Sequence, residues 1–125
     1  MAPGVIVRDD GFHPDDWNGP VVDVAQDTDP DALEGFMTDA ALIRIAFPVF
    51  LDGRGFSLGR RLRALGYTGR LRAAGPILAD QYTMARRSGF DEVEIPATMA
   101  ARQPEAQWLV RANWRAHDYR SRLRG

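Results

Sequence analysis

Four apolar runs, at residues 21–25, 42–47, 70–74 and 92–95, are each followed by a stretch with helical spacing, and this alternation limits the fold more than any other feature. Repeated strand-then-helix units predict a parallel sheet with right-handed crossovers. After the first run, Asp29-Pro30-Asp31 supplies a helix cap, a proline at the first helical position and an acid in the first turn. After the second, Leu58, Leu62 and Leu65 share one helical face, Ser57 is placed to cap it, and Gly66 suits a left-handed end. Gly75-Pro76 opens a third helix that stops near Gly89. A last helix runs from Pro104 toward Arg122, with Leu109, Ala112, Ala116, Tyr119 and Leu123 as its apolar stripe. At 125 residues the chain is read as one α/β domain, with residues 1–20 as an N-terminal arm or loop and 104–122 as the terminal helix.

Alternation within the strands refines the expectation. Ile43, Ile45 and Phe47, with Leu71, Ala73, Val93 and Ile95, form an apolar face for the helices. The other face receives one charge from each strand: Asp23, Arg44, Arg72 and Glu94. A doubly wound sheet buries both faces and reads as near-continuous hydrophobics. The pattern therefore predicts a half-barrel-like (βα)4 sheet with helices on one face, the alternative being a small flavodoxin-like doubly wound sheet. Open edges and a charged face predict a homodimer.

Composition removes several chemistries. There is no cysteine, hence no thiolate nucleophile, disulfide or cysteine-bound cluster, and all sixteen basic residues are arginine, which excludes a lysine Schiff base. His13 and His117 have no metal-ligand spacing, so no metal is expected. No apolar run approaches a membrane span, and the N-terminus lacks a secretory layout; a cytoplasmic location is expected. The net charge of −1 and the absence of a recognition motif argue against nucleic acid. That charge is polarised: residues 1–52 carry eleven acids against two arginines, and the remainder fourteen arginines against six acids.

In parallel α/β folds ligands collect where strands end and helices begin. The turn Asp52-Gly53-Arg54-Gly55 followed by Ser57 occupies that place. Its glycines, a helix N-terminus and the Arg54 fork suit a small oxyanion, with Arg72 from the next strand as a second ligand. The same turn can equally be a tight connection in which Asp52 and Arg54 pair. The glycine spacing is one residue longer than a dinucleotide fingerprint and no acid follows at the ribose distance, so no nicotinamide site and no bound cofactor are expected. Asp80 and Gln81 are placed at the same mouth, where Asp80 can also serve the helix dipole. Arg72 and Glu94 form either a buried structural pair or an anion clamp with an acid–base partner. Asp52, Asp80 and Glu94 are the candidate catalytic acids or bases.

Three ordered motifs, FPVFLDGRGFS at 47–57, GRLRAAG at 69–75 and the Asp80-Gln81 pair followed by RSGFD at 87–91, resemble those of the bacterial domain-of-unknown-function family numbered 934. The resemblance covers about residues 42–95. It implies a setting in assimilatory sulfate and sulfite reduction, beside sulfite reductase and sulfonucleotide reductase, and a family label of oxidoreductase in sulfite reduction. Without cysteine or a dinucleotide fingerprint, an accessory, oxyanion-binding component is the preferred expectation. The alternative is a small enzyme acting on a sulfur oxyanion or a phosphorylated metabolite.

Overall fold

A computed structural model of the chain describes residues 4–48 and 53–114. Six strands form one mixed sheet: β1 (Val5–Arg8), β2 (Gly11–Pro14), β3 (Val22–Val24), β4 (Leu42–Ala46), β5 (Arg70–Ala74) and β6 (Glu92–Ile95). Their spatial order is β2-β1-β6-β5-β4-β3. The strands read from the sequence, β3 to β6, are parallel and lie side by side in chain order. The order does not reverse among them, as a doubly wound sheet requires.

The expectation of a purely parallel (βα)4 sheet is corrected at the N-terminus. Val5–Arg8 and Gly11–Pro14 form an antiparallel hairpin in place of a loop, and β1 then pairs antiparallel with β6, setting Val5 against Ile95 and Val7 against Val93. Gly11 follows the Asp9-Asp10 turn at φ +122°, a value that glycine adopts without cost. The hairpin covers the edge of β6 that a four-stranded sheet would leave open.

The α-helices among the described residues are α1 (Glu34–Met37), α2 (Arg54–Ala64), α3 (Tyr82–Arg87), α4 (Ala97–Arg102) and α5 (Glu105–Arg111). Short 3₁₀ turns precede α1 and α3. The core joins Val7, Ile43, Ile45, Leu71, Ala73, Val93 and Ile95 of the sheet to Leu58 and Leu62 of α2, Tyr82 and Ala85 of α3 and Trp108 of α5. Phe47, Phe56 and Phe90 meet at centroid distances of 4.9–6.4 Å over the end of the sheet. The inward residue of α5 is Trp108, wedged edge-on between Phe12 and Tyr82, whereas Leu109 is exposed. This corrects the predicted stripe, whose later members, with His117 and the helix as far as Arg122, lie outside the described residues.

Candidate functional site

The charged face of the sheet is a continuous relay. Register sets Asp23 beside Arg44, Arg44 beside Arg72 and Arg72 beside Glu92. Arg44 grips Asp23 through Nε at 2.6 Å and Nη2 at 3.1 Å. Arg44 and Arg72 are like charges directly opposed across two strands, which is destabilising unless a counter-charge intervenes. Glu94 is that counter-charge, its Oε1 accepting from Arg72 Nη1 at 2.9 Å and Arg44 Nη1 at 3.3 Å. Arg72 also donates through Nε to Glu92 Oε2 at 2.6 Å, and Glu92 Oε1 accepts from Arg8 Nε at 3.1 Å. Arg72 and Glu92 are wholly buried, so their charges are tolerable only because each is paired and hydrogen-bonded. Burial lowers the Arg72 pKa, but the hydrogen bond and charge of Glu92 more than offset it and the net direction is upward. The pKa of Arg44 is likewise raised, first by its hydrogen bond to Asp23. Arg44 and Arg72 are thereby held as cations against the carboxylates that bind them.

The second arrangement lies where β3 and β4 end. Beyond β3 the chain turns with the Thr28 N–H donating to the Ala25 carbonyl at 3.0 Å, and Asp29 then caps the 3₁₀ turn by accepting from the Asp31 N–H at 2.9 Å. These residues face the start of α2. The helix begins at Arg54, three residues before the Ser57 expected to cap it, with Gly53, which has no side chain to offer the first amides, as its cap. Ser57 instead sits in the first turn, its N–H reaching the Gly53 carbonyl at 3.4 Å. Between the two segments is a cavity of about 330 Å³ whose lining includes Gln26, Asp27, Thr28, Asp29, Arg54 and Ser57. Gln26 Oε1 is buried and, among the described residues, has no hydrogen-bond partner. The α2 amides and Arg54 bring positive charge to one wall; the acids oppose it on the other.

The model of the family described as bacterial protein of unknown function (DUF934) matches residues 21–122. The chain belongs to this family. The DUF934 span takes in all four parallel strands, the α2 cavity and most of the charged relay, while the N-terminal hairpin and Arg8 precede it. No curated protein and no solved structure matches the chain.

Within the DUF934 span the predicted site residues separate into distinct places. Arg54 and Ser57 share the α2 cavity, flanked by Gly53 and Gly55. Neither glycine has positive φ. Gly55 is required for packing, because a Cβ there would overlap the Phe47 ring. Arg72 does not join Arg54: it lies in the middle of β5 on the charged face, enclosed by Glu92, Glu94 and Asp15. Glu94 belongs to the same relay. Asp80 bonds Arg111 Nη2 at 2.8 Å, and the Gln81 Oε1 accepts from the Leu78 N–H at 3.0 Å, tightening the start of α3. Asp52 lies outside the described residues.

Sequence reasoning missed Glu92, Gln26 and the acids of the N-terminal segment. Glu92 was readable, since it stands two residues before Glu94 and must share its face. Nothing local marks Asp9, which accepts from the Tyr82 hydroxyl at 2.5 Å and from Arg86 Nε at 3.1 Å. That contact ties the hairpin turn to α3. Burial beside this carboxylate pushes the Tyr82 phenol pKa upward.

Proposed function

We propose that the protein is an accessory binding component of sulfate and sulfite assimilation, the setting implied by its family resemblance, and that it holds a small oxyanion at the N-terminus of α2. The observation that carries this reading is that Arg54 and Ser57, both in the first turn of a helix capped by a glycine, line one open cavity at the start of α2. Backbone N–H groups and the helix dipole bind an anion without titrating, and the guanidinium adds a bidentate contact. Thr28 also lines this cavity. An accessory rather than catalytic role is supported by the commitment of the sheet acids: Glu92 and Glu94 are engaged by arginines and Asp23 by Arg44, so none is poised as a proton carrier. Sulfite reductase or sulfonucleotide reductase is the partner that this setting suggests.

Calorimetry with sulfate, sulfite and phosphate tests the reading. Arg54→Ala should weaken binding by about 1.5–3 kcal/mol, the worth of a charged hydrogen bond, while the variant stays folded. Absence of binding to the parent chain, or binding unchanged by Arg54→Ala, would refute it.

A further inference from the structure

Between β2 and β3 the segment 15–17 passes over the charged face, and each of its three residues meets a different arginine. The Asp15 carboxylate receives Arg72 Nη1 at 3.2 Å and Nη2 at 3.4 Å. Asp16 Oδ1 lies 3.5 Å from Arg8 Nη2. The Trp17 ring lies 5.3 Å from the Arg70 guanidinium. The strap's other bonds are local: the Trp17 N–H to Asp15 Oδ1 and the Trp17 indole N–H to the Pro20 carbonyl, both at 3.2 Å. Residues 14–16 and 18–20 are exposed. Beside the strap opens a groove of about 530 Å³ lined by Arg8, Trp17, Thr68, Arg70 and Glu92 among others. The Arg70 N–H bonds the Ala41 carbonyl at 3.0 Å, but among the described residues its guanidinium makes no hydrogen bond, and Glu92 lies 3.8 Å from it.

We propose that the row Arg8, Arg70 and Arg72 is a docking surface for an acidic segment of another protein, and that residues 15–17 are a built-in competitor lying over it. The strap itself displays the chemistry the row accepts: two adjacent carboxylates on two guanidiniums, and an aromatic ring on a third. Charge points the same way. The strands bring Arg8, Arg44, Arg70 and Arg72 to this face against Asp23, Glu92 and Glu94, leaving an excess cation that the strap covers. The covering is weak at Asp16, whose side chain is 70% exposed so that its ion pair contributes little, and is held mainly by Asp15 on the buried Arg72. Stacked arginine and tryptophan are also the residue types that dominate protein interfaces. This inference does not rest on the α2 cavity, which involves none of these residues.

The test uses a fluorescein-labelled peptide with the sequence of residues 14–19, PDDWNG, added to the full chain and followed by anisotropy. The tethered strap competes at high effective concentration. Asp15→Asn with Asp16→Asn should therefore bind the peptide at least tenfold more tightly than the parent, and adding Arg70→Ala should abolish the gain. A PNNWNG peptide should not bind. Equal affinity of parent and double variant, or binding by neither, overturns the proposal. So does competition by inorganic phosphate at matched ionic strength as effective as that by unlabelled peptide, which would assign the row to small oxyanions. If the double variant fails to fold, Asp16→Asn alone makes the same comparison, and no gain over the parent is then the refuting result.

Discussion

Replacing Glu92 by glutamine isolates the most consequential interaction of the charged face. Glu92 faces Arg72 at 2.6 Å and Arg8 at 3.1 Å, and the Arg72 and Glu92 side chains are 1% and 2% exposed. Glu92→Gln keeps the shape and removes the charge, leaving a buried guanidinium short of its closest counter-ion. Breaking a buried pair in this way costs about 3–5 kcal/mol. Arg72 retains Glu94 at 2.9 Å and Asp15 at 3.2 Å, which places the expected loss near the lower figure, about 3 kcal/mol. With a urea m-value near 2 kcal/mol/M, the unfolding midpoint should fall by about 1.5 M. Removing both charges with apolar residues of similar volume, Arg72→Met with Glu92→Leu, should recover much of that loss, because neither desolvation cost remains. Urea unfolding of the parent and both variants, followed by tryptophan fluorescence and circular dichroism, measures the effect. A loss below about 1 kcal/mol for Glu92→Gln, with no recovery in the double variant, would show that water screens the pair and would refute the argument from burial.

Two other positions give sharp expectations. Gly75 and Gly66 both have positive φ, +146° and +99°, but a Cβ at 75 would overlap the Phe47 carbonyl oxygen whereas one at 66 meets nothing. Gly66→Ala should cost about 1–2 kcal/mol and Gly75→Ala markedly more, as read from thermal midpoints; equal losses would refute the steric distinction. Burial raises the Asp9 pKa, but hydrogen bonds from Tyr82 and Arg86 outweigh it and hold the carboxyl below the ordinary range. Its stabilisation is therefore complete above the unfolded value near 3.9 and is lost as pH falls through the folded value. Asp9→Asn should be less stable than the parent at pH 7, with the gap narrowing by pH 3; a gap independent of pH would contradict the assignment.

The strands 70–74 and 92–95 were legible to the residue because charged and apolar side chains alternate within them and glycine or proline bounds them. The same alternation revealed the charged face. The start of α2 was placed late because a glycine cap leaves no side-chain signal, while Ser57 imitates one. The hairpin was hidden by the density of Asp, Gly and Pro in residues 8–20, although Val5-Ile6-Val7 carries strand composition. The inward face of α5 was misread because a stripe extended toward Arg122 favoured Leu109, whereas Phe12 and Tyr82 select Trp108. The bond between Asp15 and Arg72 spans too much of the chain for any local rule to find.

The place of the hairpin in the sheet has a kinetic corollary. Parallel neighbours such as Ile45 and Ala73 are joined through about thirty residues, but Val5 meets Ile95 only after a loop of about ninety residues is closed. By the logarithmic dependence of closure entropy on length, that step costs about 1 kcal/mol more than a single crossover. β1 and β2 fold upon each other locally, yet their docking waits for the last strand to join the sheet. On a ribosome the first strands made would be among the last to find their place, and until then the Ile6 and Val7 side chains stay in water, a transient hazard concentrated in four residues.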